Sequence, residues 1–283
     1  MATTYLLTLF AAMAFVPTIV VLYLALDPYT APKVPVSLFE ERKVFLTFAV
    51  GIPGSIPLAL VFLLYAGAVQ APNPFIALVW ALVFVLVASL GRRILLGTKT
   101  FGGAGGNDPA APVFAFSFGA VSGATIFLAL ALNQAQISSF PSGETLGLLA
   151  GFSVDLGLLE AWAGLRTGER LREGFSWLPP WDVFVIELVT LGLLGVPFLG
   201  IEGLKELGLV AAFVLLVLFL RADVPRIFGR LRKRSAKDRG RRFGRGAALP
   251  AEAVPREEDL PGEGSPDGDN PLTGGSPPGP GSA

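Results

Sequence analysis

The sequence predicts an all-helical, multi-pass membrane protein, and three observations carry that reading. Seven long apolar stretches divide the 283 residues. The chain is 52% hydrophobic and only 16% charged, too apolar for an ordinary water-soluble domain. Every Lys and Arg except Lys205 falls in alternate gaps between the stretches or in the C-terminal tail, the sorting that membrane insertion imposes on short cytoplasmic loops.

The first stretch, Tyr5 to Leu26, contains Ala12-Met13-Ala14, a small-residue pattern of the kind signal peptidases cut. No Lys or Arg precedes it, however, and it runs apolar past the usual h-region of about 7 to 15 residues, so a membrane anchor is expected. The second, Val44 to Val69, follows Ser37-Leu38-Phe39-Glu40, which has capping-box spacing with Ser37 as N-cap. Gly51-Ile52-Pro53-Gly54-Ser55-Ile56-Pro57 interrupts this stretch at its centre, because proline removes a backbone donor and clashes with the preceding turn. The third to seventh are Pro74 to Leu90, Pro112 to Leu132, Glu144 to Leu165, Trp181 to Leu199 and Gly203 to Leu220. Most have the roughly 20 residues that a bilayer core requires. Trp162, Trp177 and Trp181 fall at expected span ends, where aromatic belts form, and Trp80 does not.

The cations set an expected orientation. Lys33, Arg42 and Lys43 lie in the first gap, Arg92, Arg93 and Lys99 in the third, and Arg166, Arg170 and Arg172 in the fifth. With the basic tail on the same side, the N-terminus is expected outside and the C-terminus in the cytoplasm, in a prokaryotic-type plasma membrane. Three regions follow: a membrane domain over 1–220, a basic juxtamembrane segment over 221–245, and a tail over 246–283. The tail's Pro, Gly and acidic composition cannot offset the entropy of ordering, so it is expected to be disordered. Arg230, Arg232, Lys233 and Arg234 in the basic segment are candidates for anionic headgroups, at about 1 kcal/mol per cation near the surface. No recognised nucleic-acid module accompanies this charge, and no nucleic-acid partner is expected.

Composition also narrows the chemistry. With no Cys and no His, the chain lacks disulfides, the usual zinc ligands and both the Ser-His-Asp and Cys-His nucleophile systems. No metal or cofactor is expected, and an enzyme is the less favoured class. Gly97-Thr98-Lys99-Thr100-Phe101-Gly102-Gly103 lacks the Gly-Lys-Ser/Thr ending of a phosphate loop and reads as a linker. Glu40-Glu41 beside Arg42-Lys43 resembles, over a few residues, the paired glutamates of membrane-embedded CAAX-type proteases, but those enzymes also require histidines. Asp155 and Asp182 differ in depth and do not form a facing aspartyl pair. Lys205 sits at a helix end, not where a retinal Schiff base would be held.

What remains is a set of intramembrane polar residues. Gly143, Gly147, Gly151 and Asp155 recur every four residues on one helix face, and Ala115, Gly119 and Gly123 form a matching stripe on the preceding stretch. Close packing along Gly119, Gly123, Gly143, Gly147 and Gly151 would bring Ser122 and Thr125 to the depth of Asp155. Ser55 and the opened backbone at Pro53 and Pro57 would complete a midplane site for a proton, an ion or a small solute. An intramembrane acid costs on the order of 3 kcal/mol on insertion scales, which makes it a default functional candidate. The alternative is that the stripes are packing seams and Asp155 an interhelical hydrogen-bond donor. Glu160 and Glu187 form a second candidate, either a proton relay running from Asp155 or an interfacial ion pair with Arg166 or Arg170. Two functions follow from these alternatives. One is transport through Asp155. The other is a non-catalytic scaffold or assembly factor, in a homo-oligomer or with a membrane partner, that uses its glycine stripes for helix association and its cytoplasmic tail for partners.

Overall fold

The computed structural model describes residues 2–30, 39–71, 73–102, 110–137, 142–171, 180–199 and 203–246, with side chains through Leu231. Among these residues the regular structure is entirely helical: α1 (Ala2–Leu26), α2 (Glu41–Gly54), α3 (Ile56–Val69), α4 (Pro74–Gly97), α5 (Lys99–Gly102), α6 (Ala111–Ile137), α7 (Gly143–Leu171), α8 (Trp181–Gly195) and α9 (Leu204–Gly246). Residues 1–239 form one compact unit. Of the second unit, 240–283, only the end of α9 is described. Ser37, Trp177 and the tail from 247 lie outside the described residues.

Among the described residues six helices are long and apolar enough to cross a membrane, and α2 with α3, bent by 51° at their break, bring the count to seven if the pair is one span. The protein is therefore an all-helical, multi-pass membrane protein. The bend has a local cause. Neither Pro53 nor Pro57 can donate to the ladder, and the break falls between them at Ser55, whose N–H still reaches Gly51 O at 3.0 Å. The start of α2 differs from the expected capping box: Glu40 is the N-cap, makes no side-chain cap, and pairs instead with Lys43 at 3.1 Å. Asn73 does cap α4, accepting from Phe75 N at 3.0 Å ahead of Pro74.

α6 lies at the centre. Its membrane window is 83% buried, against 28% for those of α1 and α4, and it packs on α1, α2, α3, α4 and α7. A helix enclosed on all sides must be apolar all round, and α6 is. Its antiparallel contact with α7 is very close. A Cβ on Gly119 would sit 2.0 Å from Glu160 O, one on Gly123 2.4 Å from Leu156 O, and one on Gly164 2.1 Å from Ala115 O. Backbone carbonyls fill the space that any side chain would need, so only glycine fits.

This corrects the stripe read from spacing. Gly119 and Gly123 are in the contact, but they meet α7 at Glu160 and at Leu156 and Gly157, while Gly164 and Gly168 of α7 meet Ala115 and Pro112. Gly143 and Gly147 face open space, and Gly151 meets only the Leu209 side chain. The repeat was real, but it marked the wrong face of α7.

Two further expectations change. α4 does not stop at Leu90: Arg92 and Arg93 belong to the helix and are buried, not placed in a loop. Trp162 is not a belt residue. It is 1% exposed, packs against Phe219 and donates from Nε1 to Asp223 at 2.9 Å. Trp181 does lie at a helix start and is 76% exposed, as a belt residue would be.

α9 passes position 220 without a break. Ile227, Phe228 and Leu231, interspersed in the basic segment, are buried with Leu22, Leu26 and Phe116. Phe228 meets both Tyr29 and Phe116 edge-on. The first part of the basic segment is thus docked on the protein.

Candidate site beneath a vestibule

The end of the molecule at which α7 begins is called the upper end below, and the end at which it finishes the lower end. At the upper end, α1, the end of α3, α6, α7, α9 and the short 3-10 turn after α8 (Val196–Leu199) surround a cavity of about 270 Å³. Gln70, at the end of α3, Gln134, near the end of α6, and Thr145, in the first turn of α7, give it polar groups. Phe10, Phe152 and Phe198 give it aromatic walls, with Leu148, Leu149 and Leu209 between them. Phe152 meets Phe198 edge-on at 5.5 Å and Phe62 at 6.0 Å, so its ring is fixed from two sides.

Asp155 lies on the continuation of this wall. Leu148 and Phe152 precede it by seven and three residues, separations that keep all three on one side of α7. Gly151, four residues earlier, faces Leu209. Asp155 is therefore one turn, about 4.5 Å, below Phe152. Helical side chains lean toward the helix N-terminus, and for α7 that direction is toward the vestibule. The carboxyl is 1% exposed, and neither oxygen has a hydrogen-bond partner.

A different polar centre occupies the lower half. Arg92 of α4 reaches Glu160 of α7 at 2.7 Å and also bonds Glu187 of α8. All three side chains are 0% exposed. One guanidinium nitrogen, Nη2, thus bridges two carboxylates from two other helices in charge-assisted hydrogen bonds. Ser89 and Thr190, one turn away on α4 and α8, are buried with hydroxyls that have no partner.

Below this lies a second, partly exposed network. Arg166 bonds Glu169 at 2.8 Å and Asp182 at 2.5 Å, with Asp223 at 3.6 Å. Arg230 pairs with Glu169 at 2.9 Å. Arg230, expected at lipid headgroups, is thereby held on α7, and the side chains of Arg232, Lys233 and Arg234 lie outside the described residues.

The residues singled out from the sequence are distributed as follows. Ser55 and Ser122 come together at 2.7 Å, both buried. Ser122 donates to Phe118 O, so it accepts from Ser55, whose single proton is also claimed by Gly51 O at 2.5 Å. Thr125 donates to Val121 O. None of these hydroxyls bonds Asp155. Pro53 and Pro57 are exposed and do not line a buried site with Ser55. Glu160 and Glu187 are joined as a pair, but through Arg92, and not through Arg166 or Arg170. Asp155 is not part of that assembly. Five residues separate it from Glu160, about 140° around the helix, and it shares its face instead with Trp162, seven residues on.

Arg92 and the vestibule residues were not singled out from the sequence. A signal for Arg92 was present: Ile94-Leu95-Leu96 continues the apolar run beyond the two arginines. The vestibule had none, because its lining comes from five helices and a short turn after α8. Among the described residues no cluster of acids could hold a metal ion.

No family model, curated protein or solved structure matches the chain. Fold alone would not assign a function in any case, and the argument rests on the site.

Proposed function

We propose that the protein moves a proton, a cation or a small polar solute across the membrane, with Asp155 as the group the permeant meets. The observation that carries this reading is the unpartnered, buried carboxyl of Asp155 one turn below a vestibule of about 270 Å³. Burying an acid without a hydrogen-bond partner is costly, and such groups inside membranes mark permeation paths and proton relays. The charge asymmetry of the loops supports placing the vestibule outside. The paired charges of the lower half then form the seal on the other side, which opens only when Arg92 parts from one of its acids.

Reconstituted vesicles test this. Asp155→Asn keeps the shape of the side chain but can neither carry a charge nor release a proton, and it should abolish flux while the folded protein is retained. Because the chain has no native Cys, a single cysteine at 155 can be compared with one at exposed Leu86. A membrane-impermeant thiol reagent should label position 155 from the vestibule side only. Unchanged flux in the Asn variant, or protection at 155 from both sides, overturns the proposal.

The scaffold reading retains one supporting observation, the exposed Gly143 and Gly147 face of α7. It predicts that Gly147→Leu weakens association with a partner while Asp155→Asn is tolerated.

A further inference from the structure

We propose that the vestibule selects small organic molecules bearing a single positive charge, an inference that rests on the placement of Asp155 on the path. Among the described residues the lining contains no Lys or Arg to serve an anion as counter-charge. Among them it contains no Asp or Glu either, and they offer a multivalent metal ion too few oxygens to replace its water. What the walls offer is three phenyl rings and two amides: Phe10, Phe152 and Phe198, with Gln70 and Gln134.

Phenyl rings attract a cation over their faces and an apolar body anywhere, and they cannot rehydrate an inorganic ion. The single acid beneath the floor balances one positive charge and no more. At about 270 Å³ the space lies at the small end of ligand sites, which fits a molecule of about one ring. The amides and Thr145 would hydrogen-bond an ammonium group or an ether or hydroxyl on the same molecule as it enters. Phe152 lies between the vestibule and Asp155.

The test uses full-length protein in lipid nanodiscs and three probes of nearly equal size and different charge: 2-phenylethylammonium, 2-phenylethanol and phenylacetate. The cation should bind at least about 10-fold more tightly than the alcohol, the margin a single unpaired acid can supply. Phenylacetate should not compete. Asp155→Asn should bring the cation and the alcohol to equal affinity, and Phe198→Ala should weaken both. Thermal unfolding of each variant separates lost binding from lost fold, and the comparison of probes on the unsubstituted protein needs no variant at all.

Equal affinity of cation and alcohol, or competition by phenylacetate, overturns the selectivity. Were that found with the cysteine at 155 still labelled from the vestibule, the transport reading would stand and only the substrate class would fall. A cation preference that survives Asp155→Asn, with position 155 protected, would remove both.

Discussion

The two halves of this molecule treat buried charge in opposite ways. In the lower half each acid described on α7, α8 and α9 has a cation: Glu160 and Glu187 share Arg92, and Asp182, Glu169 and Asp223 surround Arg166. In the upper half Asp155 is buried just as deeply and has nothing. The same helix, α7, carries both arrangements five residues apart. Acids that hold helices together are neutralised by the protein, because one left alone in an apolar interior is costly. On the proposed function, an acid left alone is one whose partner is the permeant, and the difference between the halves is what that reading explains.

The largest effect should come from breaking the paired half. Arg92→Leu strands two carboxylates among α4, α7 and α8, and removal of one partner from a buried pair costs on the order of 3 to 5 kcal/mol. The variant should express poorly or unfold well below the parent in a thermal assay in detergent. Replacing all three residues together, Arg92→Leu with Glu160→Leu and Glu187→Leu, should recover most of the loss, since a well-packed apolar substitute for an ion cluster is often neutral. A single Arg92→Leu variant as stable as the parent would mean that the cluster does not hold the helices.

Next in size is the glycine contact that places the two acids of α7 at their depths. Gly164→Ala puts a methyl 2.1 Å from Ala115 O and should force α6 and α7 apart, at about 1 to 3 kcal/mol. Gly147→Ala meets nothing within 4 Å and should stay within about 0.5 kcal/mol of the parent. Matched unfolding curves for the two variants would decide between the observed contact and the one the spacing suggested.

That pair also marks how far the sequence could be read. Span number, the break between Pro53 and Pro57 and the participation of Gly119 and Gly123 all follow from local rules of length, proline chemistry and side-chain size. The partner face of α7 does not, because two sets of small residues, Gly143, Gly147 and Gly151 and then Gly157, Ala161, Gly164 and Gly168, follow one another on one helix and only tertiary packing chooses between them. The arginine that joins Glu160 to Glu187 comes from 68 residues away, and charge alone placed it in a loop. Asp155 stood out from the sequence as an intramembrane acid. Its isolation did not, because it depends on what every neighbouring helix fails to present.

A smaller change reports on the boundary between the two networks. Trp162→Phe keeps the ring stack on Phe219 but removes the Nε1 bond to Asp223, and should cost about 1 kcal/mol. Arg166 lies 3.6 Å from the same carboxylate and can take up the freed oxygen. A loss much above that figure would show the lower network to be more cooperative than its separate bonds.

The smallest effect on stability should come from the residue with the largest proposed effect on function. Asp155→Asn removes no hydrogen bond, because there is none to remove, and it replaces an ionisable group by a neutral one of the same outline in an apolar setting. Unfolding should therefore shift by no more than about 0.5 kcal/mol, in either direction. Glu160→Gln, five residues along the same helix, gives up a charge-assisted bond to Arg92 and should cost about 1.5 kcal/mol or more. Measured side by side in one detergent, the two substitutions differ by a single atom each and share a helix, so burial and helix propensity largely cancel. If Asp155→Asn proves the more damaging, Asp155 has a partner in the folded protein and the contrast between the halves collapses. If it is silent in stability while flux is lost, the carboxyl is kept for what passes it, since the fold has no use for it.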